Sequence, residues 1–445
     1  MADGLNRLEI RLTWTESDHP DSIERACAAE LSIHVSDFCL TQLEDRHVQT
    51  VRPILRASAY RLALWFAQNW WRLRWEPEQS DMDWQMAHSL AAAGGGYTWP
   101  ALSFIGDGEG TLLRMRPSTA VPTENIRYLV HADIPIQVDQ YTEAIDCFIE
   151  AVIARLYVCG HPNTDLEQLW NEVRAERNTA AVMQWRKLEA LASLDPDADE
   201  AGFLKQLLDR QQQTGLGAIE ELVATSKNRA QAALTSLLNG CRSAATPLHC
   251  DDIDRLRRYL TDDVGMNKSI RGLGNAKPPP WQLGYDVAAI ARQYWNLNPG
   301  KVTNAILDQL FGVPEKVVMQ VASMSDFPIS AGYRNPANQG LAVWLNMRPP
   351  TGRRFALARL VGDHLCSGEQ ERLLPATAAK TARQKFQRAF AQQFLCPIND
   401  LREFLNTDHP DDEQIEDAAS EFDVSPLLIK TTLVNHGLLG RQVLQ

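Results

Sequence analysis

Apolar and polar positions alternate with one period at the start of the chain and another further on, and the change outlines its organisation. Residues 8–14 read Leu-Glu-Ile-Arg-Leu-Thr-Trp, a strict alternation that predicts a strand with one buried face. Residues 31–35 repeat the pattern. Residues 60–71 carry apolar side chains at helical spacing, with so many aromatic rings that most must be buried. Further strands are expected at 101–105, 111–116 and 126–130. Gly106, Asp107, Gly108, Glu109 and Gly110 read as the hairpin turn between the first two. A helix over 141–158 closes an expected α+β domain with an antiparallel sheet, residues 1–157.

From 160 to 275 the helical period dominates, and a helical region is expected. Helices are predicted over 165–176, 183–192, 202–213, 218–225 and 228–238, with Asp165 and Asp199 as caps. No fixed repeat length emerges, which argues against a solenoid. Residues 271–280 end in three prolines and predict a stiff linker. A third domain is expected over 278–445. It opens with a helix at 281–292 and a strand-like run at 339–346. Helices are expected over 355–365 and from 380 onward. A helix–turn–helix shape over 411–439 is expected to close it, with Asp423, Val424, Ser425 and Pro426 as turn and cap.

Three segments of this last domain carry a resemblance. Residues 354–358 read Arg-Phe-Ala-Leu-Ala. Residues 387–397 read Gln-Arg-Ala-Phe-Ala-Gln-Gln-Phe-Leu-Cys-Pro, and residues 421–426 read Glu-Phe-Asp-Val-Ser-Pro. Together they resemble the ImmA/IrrE family of bacterial metallopeptidase-like proteins, over roughly residues 280–445. The resemblance implies a zincin-like α+β domain with a helical tail, whose motif helix reads R-F-T-L-A-H-E-x-G-H. Set on that pattern, the first zinc-binding His falls on Arg359, the Glu base on Leu360 and the second His on Asp363. The third ligand falls near Gln384. A guanidinium cannot stand in for a neutral imidazole, and Leu cannot abstract a proton. Asp363 and His364 are neighbours, so on a helix they point about 100° apart. The catalytic positions therefore read as degenerate, and no metal or cofactor is expected.

The resemblance implies a non-catalytic regulatory protein that binds a protein partner, such as a repressor, toxin or defence component. Family members regulate DNA-binding repressors in mobile-element, stress or phage-defence settings. Arg359, Asp363, His364 and Gln384 would line the former substrate cleft. Two alternatives stay open. One is an active zinc endopeptidase with displaced ligands, drawing on Asp363 and His364. The other is a nucleic-acid-binding regulator using the basic helix of Lys380, Arg383, Lys385 and Arg388 together with the terminal helices.

Composition narrows these choices. The net charge of −12 argues against a nucleic-acid clamp spanning the molecule, leaving only a local basic face. No apolar run is long enough to span a bilayer, and the N-terminus lacks a signal-peptide pattern. Eight cysteines without a CxxC pair suit reduced thiols in a bacterial cytoplasm. Trp70, Trp71, Trp75 and Trp84 with Arg72 and Arg74 could stack bases, but without a surrounding basic excess they read as aromatic core. Gly94, Gly95 and Gly96 lack the Lys-Ser/Thr ending of a phosphate loop and read as a tight turn. Cys366 and Cys396 are not expected to be nucleophiles: one points away from His364, the other occupies a core position.

Overall fold

In a computed structural model, the N-terminal alternation is realised as strand Leu8–Trp14, antiparallel to Ala28–Val35 in the register Leu8↔Val35 to Trp14↔Ala29. The structure describes residues 6–119, 125–199, 202–243, 247–248, 251–261, 278–297, 299–312, 327–334, 340–407 and 409–444. Most of the expected linker, residues 271–277, lies outside these. The chain divides into two units, Met1–Glu200 and Ala201–Gln445. Each combines helices with small antiparallel sheets, so the α+β class holds.

In the first unit, Ala28–Val35 also pairs with Phe38–Cys39 and Leu55–Ser58. A second sheet runs Ala132–Gln137, Gly110–Arg116, Ala101–Gly106. The expected hairpin turn is present: Asp107 Oδ1 accepts from the amides of Glu109 and Gly110. The aromatic helix is broken into Ala59–Gln68 and Trp70–Trp75. At the break, the Asn69 side-chain amide donates to the Trp65 carbonyl at 2.9 Å, competing with the helical ladder. The tryptophans are core. Trp70, Trp71 and Trp84 are buried, and Phe66 contacts the rings of Trp65, Phe104 and Phe148. Arg72 is taken by Glu76 at 2.7 Å, and Arg74 lies over Trp75 and donates to the Gly108 carbonyl.

Helices Asp165–Arg177 and Ala180–Leu191 belong to this first unit, because Leu166, Trp170, Val173 and Ala190 are buried in its core. The expected boundary after residue 157 therefore falls inside the unit. Thr164, not Asp165, is the N-cap of the first of these helices; its hydroxyl accepts from the Glu167 amide at 3.4 Å, and Asp165 sits in the first turn. Gly202, not Asp199, is the N-cap of the next helix, Phe203–Leu208.

The second unit holds a sheet of order Pro247–Leu248, Leu341–Trp344, Ser330–Arg334, Leu373–Ala376, all antiparallel. Helix Pro350–Cys366 follows the second of these strands and packs on helix Ala382–Leu395. The approach is close enough to demand glycine: a Cβ on Gly362 would sit 2.6 Å from the Phe390 ring. Helix Pro280–Tyr294 also packs on Ala382–Leu395. Because Pro247–Leu248 and the helices from 203 onward lie in this unit, the boundary expected near 278 also falls inside it.

The tail forms helices Asp412–Phe422 and Pro426–Asn435, as the sequence predicts. Asp411 and Gln414 make a capping box, and Asp423 ends the first helix in the left-handed region. Leu428, Ile429, Thr432 and Leu433 are buried in the unit's core. Buried Arg354 ties the tail to helix Pro350–Cys366, donating to the carbonyls of Asp423 and Val302 and to Asn304 Oδ1. No helix among the described residues is long and apolar enough to cross a membrane.

Candidate functional site

Arg359 and Asp363 lie one turn apart on helix Pro350–Cys366, so they share a face. That face meets helix Ala382–Leu395, capped by the Thr381 hydroxyl. The meeting brings Arg359 onto Gln384: its Nη2 donates to Gln384 Oε1 and to the Thr377 carbonyl at 2.7 Å. Gln384 Oε1 also accepts the Thr377 amide, and its Nε2 donates to the Pro375 carbonyl. Leu360 is fully buried in the core beside them.

Asp363 is buried and held by Arg383. Arg383 Nε donates to Asp363 Oδ1 at 2.9 Å and Nη2 to Oδ2 at 2.8 Å, a two-pronged contact. Ser367 Oγ donates to the same carboxylate at 2.9 Å. Arg383 also reaches Glu371 at 3.1 Å. Burial works against the charge of Arg383, but Asp363 and Glu371 outweigh it and raise its pKa.

Two acids here were not singled out from the sequence. Glu371 accepts the Gly217 and Ala218 amides at 2.8 and 3.1 Å, capping helix Leu216–Ser226. A Cβ at 217 would lie 2.8 Å from Arg383 Nη1, so any larger residue there would displace the end of that side chain. Glu221, on the same helix, is buried. Its carboxyl oxygens accept the Thr381 hydroxyl at 2.7 and 2.9 Å. Burial raises its pKa, with Arg383 opposing. An acid set among Ala218, Ile219, Leu222 and Val223 is the sequence signal that could have drawn attention to it.

His364 turns away from this cluster. Its Nδ1 accepts from Arg334 Nε at 3.0 Å, and its Nε2 lies 2.9 Å from Asp254 Oδ1. The arrangement fixes a neutral ring carrying its proton on Nε2. Burial lowers the His364 pKa, with the Asp254 contact opposing. Arg334 also donates to the carbonyls of His364 and Gly368, and burial, with Arg257 nearby, pushes it down to about 10.

The expected basic face on Lys380, Arg383, Lys385 and Arg388 is not continuous. Lys380 is exposed and Lys385 half-buried. Arg383 is neutralised by two acids, and Arg388 folds back to donate to the Ala379 carbonyl at 2.8 Å. Cys366 lies on the surface and Cys396 in the core. Among the described residues no group of three or more His, Cys, Asp or Glu side chains is arranged to hold a metal ion.

Chemically, this site is a set of arginine forks, amides and carboxylates that engage one another, with the buried Nε of Arg359 left without a hydrogen-bond partner. Comparison with known protein families, with curated proteins and with solved structures found no match.

Proposed function

We infer that the chain is a non-catalytic binding protein of the bacterial cytoplasm, built on a degenerate ImmA/IrrE-like metallopeptidase domain. In this reading the strand Leu341–Trp344, the motif helix Pro350–Cys366 and the crossing helix Ala382–Leu395 form the zincin-like part. The observation that carries it is the direct hydrogen bond between Arg359 and Gln384. These positions correspond to the first and third zinc ligands, and here they ligate each other. Asp363, at the second position, is occupied by Arg383 and Ser367. Gly362 stands where the motif has its glycine, and its contact with Phe390 gives that position a packing reason independent of chemistry. The displaced-ligand alternative gains no support, because Asp363 and His364 face different partners.

The site then serves recognition. Its rim is formed by exposed Lys380 and half-buried Arg359, Lys385 and Arg388, which suits a protein partner presenting acidic groups. Affinity purification from the native host tests this. The wild-type chain is expected to retain a stoichiometric protein partner, and the Lys380→Glu plus Lys385→Glu variant to lose it. A partner retained equally by both, or none retained by either, refutes the reading.

A further inference from the structure

Arg359 and Arg388 are two guanidinium groups of the second unit's site that make no ion pair with a carboxylate among the described residues. Neither lies within 4.0 Å of an acid among the described residues, whereas Arg383 between them engages two. Two geometric relations place them side by side. Their Nη2 atoms donate to the Thr377 and Ala379 carbonyls, two residues apart on one short loop. Gln384, which accepts from Arg359, lies one helical turn from Arg388 on the same face.

The nearby acids are already engaged. Asp363 binds Arg383 and Ser367, Glu371 binds Arg383 and two backbone amides, and Glu221 takes the Thr381 hydroxyl. The Nε of Arg359 is buried and has no hydrogen-bond partner. Burial lowers the pKa of both arginines and Arg388 depresses Arg359 further, while the field of Glu221 opposes the shift at both and does not overcome it. Two adjacent, half-buried cations, one with an unpartnered N–H and neither in an ion pair, form an incompletely compensated charge arrangement. What completes it is an anion able to accept from both forks at once. A tetrahedral oxyanion offers three or more oxygens to such donors, and arginine forks match its geometry.

We propose that Arg359 and Arg388 form a binding site for a phosphoryl group. The proposal deepens the recognition reading above, since Arg359 belongs to the same site, and it names the chemistry recognised there.

The test titrates inorganic phosphate and O-phospho-L-serine into the full chain at constant ionic strength, following binding by calorimetry, with acetate as comparison. Saturable binding to wild type is expected, reduced at least tenfold in both Arg388→Gln and Arg359→Gln. Phosphoserine binding as tightly as phosphate assigns the group to a partner molecule, and phosphate binding alone assigns it to the free anion. Acetate binding equally well overturns the phosphoryl assignment. So does absent binding, or binding unchanged in the two variants. Circular dichroism of each variant confirms that it is folded, and Arg388→Gln keeps a side-chain donor for Ala379. A negative result here leaves the pseudo-peptidase reading untouched, because that reading is decided by metal binding and partner capture.

Discussion

Replacing Asp363 by Leu isolates the strongest electrostatic contact of the site. The Asp363 side chain is 3% exposed and that of Arg383 17%, with a closest approach of 2.8 Å. Removing one member of a buried pair costs about 3–5 kcal/mol, because the other charge is left desolvated. Glu371 still reaches Arg383 at 3.1 Å, so the loss falls near the lower end, about 3 kcal/mol. Arg383→Met alone strands Asp363 in the same way, while Glu371 keeps its two backbone amides. The double variant Asp363→Leu plus Arg383→Met removes both charges and is expected within about 1 kcal/mol of wild type. With two units in the chain, a single global transition is a poor readout. Native-state hydrogen exchange across Pro350–Cys366 and Ala382–Leu395 reports the local opening free energy instead. A single substitution costing under about 1 kcal/mol, or a double variant as unstable as the two singles combined, refutes the argument.

Other outcomes follow from the same packing and charges. Gly362→Ala gains helix propensity but drives a methyl into the Phe390 ring, for a net loss of about 1–3 kcal/mol in the opening free energy read by hydrogen exchange across Pro350–Cys366; a gain in stability would contradict the close approach. His364 is held neutral, with a folded pKa below its ordinary 6.5, so its contribution is complete above pH 6.5 and is lost as pH falls further. His364→Gln mimics the neutral ring toward both Arg334 and Asp254, so between pH 7.5 and pH 5 the wild type should lose more stability than the variant; equal losses in the opening free energy read by hydrogen exchange across Pro350–Cys366 refute this assignment. Phe66→Ala in the first unit should cost about 3–5 kcal/mol, read as increased exchange across Ala59–Gln68.

Local periodicity made most of the elements readable. Leu8–Trp14 and the hairpin at Asp107 depend on neighbours in sequence, and both appear where alternation and turn chemistry put them. Asn69 shows the limit of periodicity alone: its side chain breaks a continuous apolar helical pattern. The assignment of the helices at 165–191 to the first unit was not legible, because the core that buries Trp170 is assembled from distant segments. The site divides in the same way. Arg359, Asp363 and Gln384 drew attention through the resemblance to a metallopeptidase motif. What they do was not: Arg383, read as part of a basic face, turns inward to Asp363. Glu221 joins through Thr381, 160 residues away. Such pairings follow from tertiary packing, and no spacing in the chain announces them.

Metal binding decides the central claim, that Arg359, Asp363 and Gln384 occupy the places of vanished zinc ligands. Equilibrium dialysis against zinc is run on the wild type and on Arg359→His plus Asp363→His plus Gln384→Glu, the last also carrying Arg383→Met so that no guanidinium is stranded. The account predicts no stoichiometric zinc on the wild type and about one ion per chain on the restored variant, through a two-His, one-carboxylate set. Stoichiometric zinc on the wild type, or none on a folded restored variant, contradicts it.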